Sequence, residues 1–341
     1  MGFYRSPQKS QKACGRIEIM IVVYLGLILF FSFLLIKASD ILLINLTSIA
    51  RRTKLGQFAV TSFLMALATS LPELFVGIAA ALEGKPNLSL GNVIGSNIAN
   101  LSLVIGTAAL MAGTVTVRGT FLRRDVFYAF LAGAAPMLLL FDKKLSQIDG
   151  LILLTLYGFY QLMVFSERKQ EGLAEGKEGF TQRLLERLNH RGTKRELAWI
   201  FLGVALLLFS ADMLVKMAGK IAFIFNVPLL LVGLFLVAVG TSLPELAFSL
   251  KAIRSHQPTM VFGNLLGSVV ANGTLVIGVT AFISPIRIVA FSEYLLATLA
   301  FVFIFGTFYY FIRTKHRLER WEGAFLIGFY LAFALSALAH L

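Results

Sequence analysis

The sequence contains few charged residues and only one cysteine. Of its 341 residues, 14% are charged and 57% are hydrophobic. The charges gather in short clusters between apolar runs that exceed about 18 residues, long enough to cross a bilayer as helices, and these runs lack the periodicity of helices on a soluble domain. The lone Cys14 excludes an intramolecular disulfide and is not a metal site by itself. We therefore predict a helical membrane protein with many spans.

The net charge of +13 has two possible meanings. Basic chains bind nucleic acids, but membrane proteins also carry an excess of Lys and Arg in their cytoplasmic loops. Because the basic residues lie between the apolar runs, we choose the membrane interpretation and predict no nucleic-acid partner. The basic N-terminus precedes an apolar run too long for a signal peptide, so we expect a retained first helix.

Ten apolar runs predict an all-α polytopic membrane protein with ten transmembrane helices. Their approximate bounds are 19–48, 57–82, 89–115, 125–141, 148–165, 197–222, 229–251, 260–284, 290–312 and 322–341. The hydrophilic segment 166–196 divides the chain into an N-terminal half, 1–165, and a C-terminal half, 197–341, with five runs each. Most Lys and Arg residues lie in loops on the same side as this segment. We therefore expect a plasma-membrane protein with a cytoplasmic 166–196 linker and both termini outside.

The two halves contain an internal repeat. Residues 40–106 align without a gap with residues 212–278, and 26 of the 67 positions are identical. TSLPEL occurs in both copies, and GNVIGSNIANLSLVIG aligns with GNLLGSVVANGTLVIG. Because each unit has five spans, an odd number, the copies cross the membrane in opposite directions. The sequence thus predicts two inverted five-helix repeats, the arrangement in which secondary transporters place a substrate site near the midplane.

The first repeated motif, TSLPE, places polar groups inside an apolar run. Thr69 and Glu73 are four residues apart and share a helical face, as do Thr241 and Glu245. A carboxylate at bilayer depth is costly, which indicates a functional role. The hydroxyls of Ser70 and Ser242 lie beside them.

The proline of the motif changes the backbone. Pro72 and Pro244 cannot donate a hydrogen bond to the carbonyl four residues earlier. We therefore expect carbonyls in the preceding turns, including those of Ala66 and Ala238, to be available to a cation. Carbonyl, hydroxyl and carboxylate oxygens together suit hard cations such as Na⁺ and Ca²⁺.

The second repeated motif, GN-x-x-GS-x-x-x-N, combines glycines that permit close helix packing with polar side chains one turn apart. Ser96 and Asn100 form one such pair, and Ser268 and Asn272 form the other. We expect these side chains to complete an oxygen cage around the two glutamates. Two carboxylates brought together in a low dielectric repel each other unless cations or protons neutralise them. One Ca²⁺, two Na⁺ or two protons match this charge.

One TSLPE and one GN-x-x-GS-x-x-x-N segment in each half resemble the alpha-repeats of the cation/Ca²⁺ exchanger superfamily, especially its prokaryotic sodium/calcium exchanger branch. The resemblance covers both halves of the chain. It implies an antiporter of Na⁺ and Ca²⁺, in which spans 1 and 6 slide against a core of the other eight to give alternating access. We expect that the protein needs no cofactor and functions as a monomer. Its expected partners are inorganic cations and the lipid bilayer.

The resemblance also implies roles for individual residues. Glu73 and Glu245 would be the central ligands of Ca²⁺ and Na⁺. Further oxygen ligands would come from Thr69, Ser70, Ser96, Thr241, Ser242 and Ser268, with the Ala66 and Ala238 carbonyls at flanking Na⁺ sites. At Asn272, many relatives in this branch carry an aspartate. This change removes one titratable group, so a proton-coupled or monovalent-cation exchanger stays an alternative.

Two further classes of function are weaker alternatives. Broken helices and a pair of acidic residues also fit a channel, but an inverted repeat favours counter-transport. An intramembrane enzyme is not supported, because HExxH is absent and the four histidines lie in predicted loops or near a terminus. The matched Asp40 and Asp212 lie toward the ends of their spans, and we predict a structural role for them.

Overall fold

The computed structural model describes residues 7–52, 69–116, 121–170, 191–255, 259–315 and 317–339. These residues are almost entirely helical. The helices are α1 (Pro7–Arg52), α2 (Leu71–Leu82), α3 (Pro86–Ala112), α4 (Phe121–Leu139), α5 (Gln147–Gln170), α6 (Arg191–Phe225), α7 (Leu229–Arg254), α8 (residues 259–283), α9 (Phe291–Lys315) and α10 (Arg320–Ala339).

Seven helices in the described part of the chain are long and apolar enough to cross a membrane. Two shorter apolar stretches, Leu71–Leu82 and Val126–Asp142, accompany them. The prediction of a helical, multi-spanning membrane protein is therefore confirmed. The number of ten spans and their inverted arrangement stay predictions.

Three helices contain wide turns of π type. These segments are Asn100–Val104 in α3, Val232–Val237 in α7 and Ala271–Val276 in α8. The segments in α3 and α8 begin at or next to the matched asparagines of the repeat. A π segment displaces the side chains from regular helical positions and is frequent at functional sites.

The TSLPE motif interrupts a helix in both halves. α2 begins directly after Ser70, and α7 is interrupted at Ser242, where Leu243–Arg254 begins as a new segment. Pro72 and Pro244 are the second residues of these segments, where a proline costs no intrahelical hydrogen bond. The same sequence thus produces the same break twice.

In the described ranges, four short strands join the two halves. β1 (Thr114–Thr116) pairs antiparallel with β4 (Arg317–Glu319), and β2 (Lys144–Leu145) pairs antiparallel with β3 (Ile286–Arg287). β1 and β2 belong to the N-terminal half, and β3 and β4 belong to the C-terminal half. Each two-stranded sheet therefore contains one strand from each half.

The buried apolar residues form two clusters. The main core involves α3 to α5 and α7 to α10. The second cluster, which we call the peripheral cluster, joins α1 and α6 to α2 and to parts of α3 and α7. α1 and α6 pack extensively against each other along their lengths. They thus form a pair beside the remaining helices.

Glycines allow α3 and α7 to approach closely. A Cβ atom added at Gly91 or Gly95 would overlap the carbonyl oxygen of Leu230 or Leu234, respectively. A Cβ atom at Gly233 on α7 would likewise overlap the Leu88 carbonyl. The backbones therefore pack without intervening side chains, which brings the second motif of one half next to the first motif of the other.

Candidate cation site

The two glutamates of the repeated motif are buried inside the molecule. Glu73 on α2 and Glu245 on α7 have no exposed surface, and their carboxylates are close enough to interact electrostatically. Each glutamate lies in the first turn after the proline break. The positive end of the helix dipole at these N-termini favours a carboxylate there.

The Thr241 hydroxyl reaches the N-terminal half. It donates a hydrogen bond to Oδ1 of Asn92 at 3.0 Å, and its oxygen lies 3.2 Å from Oγ of Ser96. These three side chains are at most 1% exposed. The Glu73 carboxylate lies next to Thr241 and Ser96. A threonine of one half therefore meets the second motif of the other half beside a glutamate.

The matched residues repeat this arrangement. Thr69 donates to Oδ1 of Asn264 at 3.1 Å, and its oxygen lies 3.2 Å from Oγ of Ser268. Ser268 donates in turn to Oε1 of Glu245 at 3.3 Å. The two sets of contacts have the same partners with the halves exchanged, as the sequence repeat predicts.

Two amide side chains lie one turn further along α3 and α8. Asn100 and Asn272 are completely buried. Nδ2 of Asn272 donates to Oδ1 of Asn97 at 3.0 Å. Among the described residues, Oδ1 and Nδ2 of Asn100 make no hydrogen bond. Oδ1 of Asn272 likewise accepts none. These amides thus offer unused acceptor oxygens in a buried polar region.

The carboxylates also keep unused acceptors. Within the described part of the chain, both oxygens of Glu73 and Oε2 of Glu245 make no hydrogen bond, and the hydroxyls of Ser70 and Ser242 have no partner. Such groups are costly when buried, because they lose their hydration without replacement. A bound cation would remove this cost.

The two predicted carbonyl ligands are those of Ala66 and Ala238. Ala66 lies outside the described residues. The Ala238 carbonyl accepts the amide hydrogen of Ser242 at 3.0 Å, so the prediction that the proline leaves it without an amide partner is wrong. The reason is position: Pro244 removes the donor to Gly240, four residues earlier, whereas Ser242 still supplies the donor to Ala238.

Sequence reasoning missed three asparagines. Asn92 and Asn264 anchor the two threonines, and the repeated Gly-Asn pair was a usable signal for both. Asn97 had no such signal, because the matched residue is Val269. The contact between Asn97 and Asn272 depends on how α3 and α8 meet, which the repeat does not specify.

The chemistry of the cluster is that of oxygen ligands. It contains two carboxylates, hydroxyls and amide oxygens, and no described Lys or Arg pairs with either glutamate. In the described ranges, no group of three or more His, Cys, Asp or Glu side chains is placed to hold a metal ion. Neutral oxygens around two carboxylates suit a hard cation that binds and leaves.

Comparison with known proteins agrees with this chemistry. The family model described as sodium/calcium exchanger protein matches residues 23–166 and 196–339. The putative antiporter CaxA of Alkalimonas amylolytica is 33% identical over 265 residues, covering 78% of this chain and 81% of that protein. The sodium/calcium exchanger MaX1 of Methanosarcina acetivorans is 29% identical, with 92% and 96% covered.

The chain is also similar to a solved structure of a sodium-calcium exchanger. The sodium-calcium exchanger NCX_Mj, soaked with Na⁺ and Sr²⁺, matches with a TM-score of 0.59 and 26% identity, over 94% of this chain and 99% of that one. The family model matches most of the sequence, once in each half. The chain therefore belongs to the sodium/calcium exchanger protein family, a family of membrane antiporters and not of enzymes.

Proposed function

We propose that this protein is a secondary antiporter that exchanges Na⁺ for Ca²⁺ by alternating access. The observation that carries the proposal is the pair of buried carboxylates, Glu73 and Glu245, contributed by the two halves without a basic partner among the described residues. The names of MaX1 and NCX_Mj support the choice of ions.

Charge balance explains how such a site exchanges its occupants. Two carboxylates in a low-dielectric region repel each other and require about two positive charges nearby. One Ca²⁺ or two Na⁺ satisfy the same requirement. The empty site is then the state of highest free energy. The conformational change that moves the site from one side of the membrane to the other is therefore favoured with an ion bound.

The proposed ligands are the polar groups that surround the carboxylates. Glu73 and Glu245 bind both ions, and hydroxyl and amide oxygens complete the coordination. These are the oxygens of Thr69, Ser70, Ser96, Thr241, Ser242, Ser268, Asn100 and Asn272. The Ala238 carbonyl lies 3.3 Å from Oγ1 of Thr241 and joins a flanking Na⁺ site when that hydroxyl turns away. Ala66 takes the matched role.

We also propose ten helices in two inverted five-helix repeats, 1–165 and 197–341, joined by the cytoplasmic linker 166–196. The exchange of partners between Thr69 and Thr241 supports the inverted relation, as do the strand pairs that each combine both halves. In this arrangement α1 and α6 are the gating pair, and the peripheral cluster is the surface on which they slide. The termini face outward, and one chain is sufficient for function.

Asn272 favours a second candidate, a proton-coupled or monovalent-cation exchanger on the same scaffold. Its amide takes the place of a carboxylate that many relatives carry, which lowers the negative charge available to Ca²⁺. The two candidates differ in the ion whose gradient drives transport, and they share the same site.

Ion flux in proteoliposomes separates these candidates. We expect Ca²⁺ uptake when Na⁺ is loaded inside and diluted outside, and no uptake with K⁺ or proton gradients of equal size. Proton-driven uptake without a Na⁺ effect would support the second candidate instead. Ca²⁺ flux that needs no counter-ion would indicate a channel.

A further inference from the structure

Asn97 makes a hydrogen bond that only one half of the molecule possesses. Its Oδ1 accepts from Nδ2 of Asn272 at 3.0 Å, and both side chains are at most 1% exposed. The matched residue in the other half is Val269, which cannot accept a hydrogen bond. Asn100, the repeat partner of Asn272, has no hydrogen bond from either terminal atom within the described ranges.

In the structure this hydrogen bond engages the nitrogen end of the Asn272 amide. An asparagine side chain has one acceptor oxygen and one donor nitrogen at nearly the same positions, and only the oxygen binds a cation. With Nδ2 occupied by Asn97, Oδ1 of Asn272 is the terminal atom that stays available. That oxygen is buried and has no donor among the described residues.

The position of Asn272 connects this oxygen to the carboxylates. Asn272 follows Ser268 by four residues on α8, and Ser268 donates to Glu245. Asn272 is the second residue of the π segment, and both side chains are completely buried in this polar region. A reversed amide would present two N–H donors there and would repel a cation.

We propose that Asn97 is a positioning residue, which holds the Asn272 amide so that its oxygen faces the transported cation. The proposal rests on the proposed function, since it assigns the orientation of one ligand of that site. Residues that orient a metal ligand through a hydrogen bond commonly affect affinity as strongly as weak ligands do. Asn97 itself does not touch the ion.

The alternative is that this hydrogen bond only joins α3 to α8. The response to ions separates the two roles. A positioning role predicts that Asn97→Leu weakens the rise in melting temperature caused by Ca²⁺, and that this effect disappears in the Asn272→Asp background, where both terminal atoms are oxygens. A purely structural role predicts that Asn97→Leu lowers the melting temperature measured without ions and leaves the rise caused by Ca²⁺ unchanged.

The test uses the full-length protein and the variants Asn97→Leu, Asn272→Asp and the double variant. Leucine has the branching of asparagine without its acceptor. Melting temperatures in detergent are measured without ions and with Na⁺, K⁺ or Ca²⁺, and Na⁺-driven Ca²⁺ uptake is measured in liposomes. We expect Asn97→Leu to raise the half-saturating Ca²⁺ concentration about tenfold, with a smaller change in maximal rate.

We expect the double variant to bind Ca²⁺ within about twofold of Asn272→Asp alone. An unchanged ion response in Asn97→Leu would overturn the proposal, and so would an equal loss in both backgrounds. If the wild type shows no Na⁺-driven Ca²⁺ uptake, the proposed function fails. The role of Asn97 is then tested with whichever ion raises the wild-type melting temperature. We expect Asn97→Leu to weaken the rise caused by that ion, and the double variant to match Asn272→Asp.

Discussion

In the N-terminal half Thr69 reaches across to Asn264, and in the C-terminal half Thr241 reaches across to Asn92. These contacts match almost atom for atom. The surroundings differ: Asn97 faces Asn272, whereas the corresponding position near Asn100 is Val269. The halves therefore share the groups that surround the carboxylates and differ in the groups that orient and support them.

The same division holds toward one end of the molecule. Lys216 on α6 bridges Asp212 at 2.8 Å and Glu83 at 3.6 Å, which ties α6 to the end of α2. The residue matched to Lys216 is Ile44, and the residue matched to Glu83 is Ser255. Asp212 takes part in an ion pair, and its structural role stays a prediction. The ion pairs around α6 are therefore asymmetric, although the polar site is nearly symmetric.

The largest effect is expected from the two carboxylates, which both halves share. Glu73→Gln and Glu245→Gln each remove one of the two charges that a cation neutralises, and we expect Na⁺-driven Ca²⁺ uptake to fall at least about 100-fold in both. Asp142→Asn is the control, since Asp142 is exposed and distant in sequence from both motifs. Normal uptake by either glutamine variant, at unchanged protein yield, would contradict the site assignment.

The next effect concerns a matched pair of glycines with unequal surroundings. A Cβ atom at Gly106 would lie 2.7 Å from the Gly323 carbonyl oxygen, whereas one at Gly278 would lie 3.0 Å from the nearest atom, a side-chain carbon of Leu154. The nearest backbone atom to a Cβ at Gly278 is the Gly150 oxygen, at 3.1 Å. Because the backbone overlap is closer at Gly106, Gly106→Ala should destabilise by about 1–3 kcal/mol and Gly278→Ala by less. Melting temperatures in detergent measure this difference.

Gly158 supplies the control for these glycine substitutions. It lies exposed on α5, and no described atom lies within 4 Å of an added Cβ. Gly158→Ala should leave the melting temperature unchanged or raise it, since alanine favours a helix. An equal loss of stability in all three variants would refute the packing argument.

A smaller effect is expected from Asn272→Asp. The new carboxylate adds a third negative charge, so we expect the half-saturating Ca²⁺ concentration to fall about tenfold at alkaline pH. Protonation at acid pH removes this charge, so the gain should be lost as the pH falls. Wild type and variant are compared by Ca²⁺ uptake across a pH series, and identical profiles would show that residue 272 does not contribute to binding.

The smallest effect is expected at Lys216. Lys216→Ile copies the matched Ile44 and removes the contacts with Asp212 and Glu83. These charged side chains are 32% to 41% exposed, so we expect less than about a fivefold change in Ca²⁺ uptake rate. The change should shrink at high ionic strength because salt screens surface charges. A change that is independent of salt would argue against an electrostatic tie.

The sequence predicted the shared part well because the information is local and duplicated. TSLPE produces the same proline break in both halves, and the spacing of Ser268 and Asn272 places them on one face. The contact between Asn97 and Asn272 could not be predicted, since it depends on the distance between α3 and α8. The Ala238 carbonyl was mispredicted because a proline frees one specific carbonyl and leaves its neighbours paired.

The strand pairs determine how the halves depend on each other. β1 finds its partner in β4, and β2 finds its partner in β3, so neither half completes a sheet by itself among the described residues. The main core likewise draws residues from both halves. If the two halves were expressed as separate fragments, each would therefore need the other as a template for folding. The covalent connection between them would then serve mainly to fix their ratio at one to one.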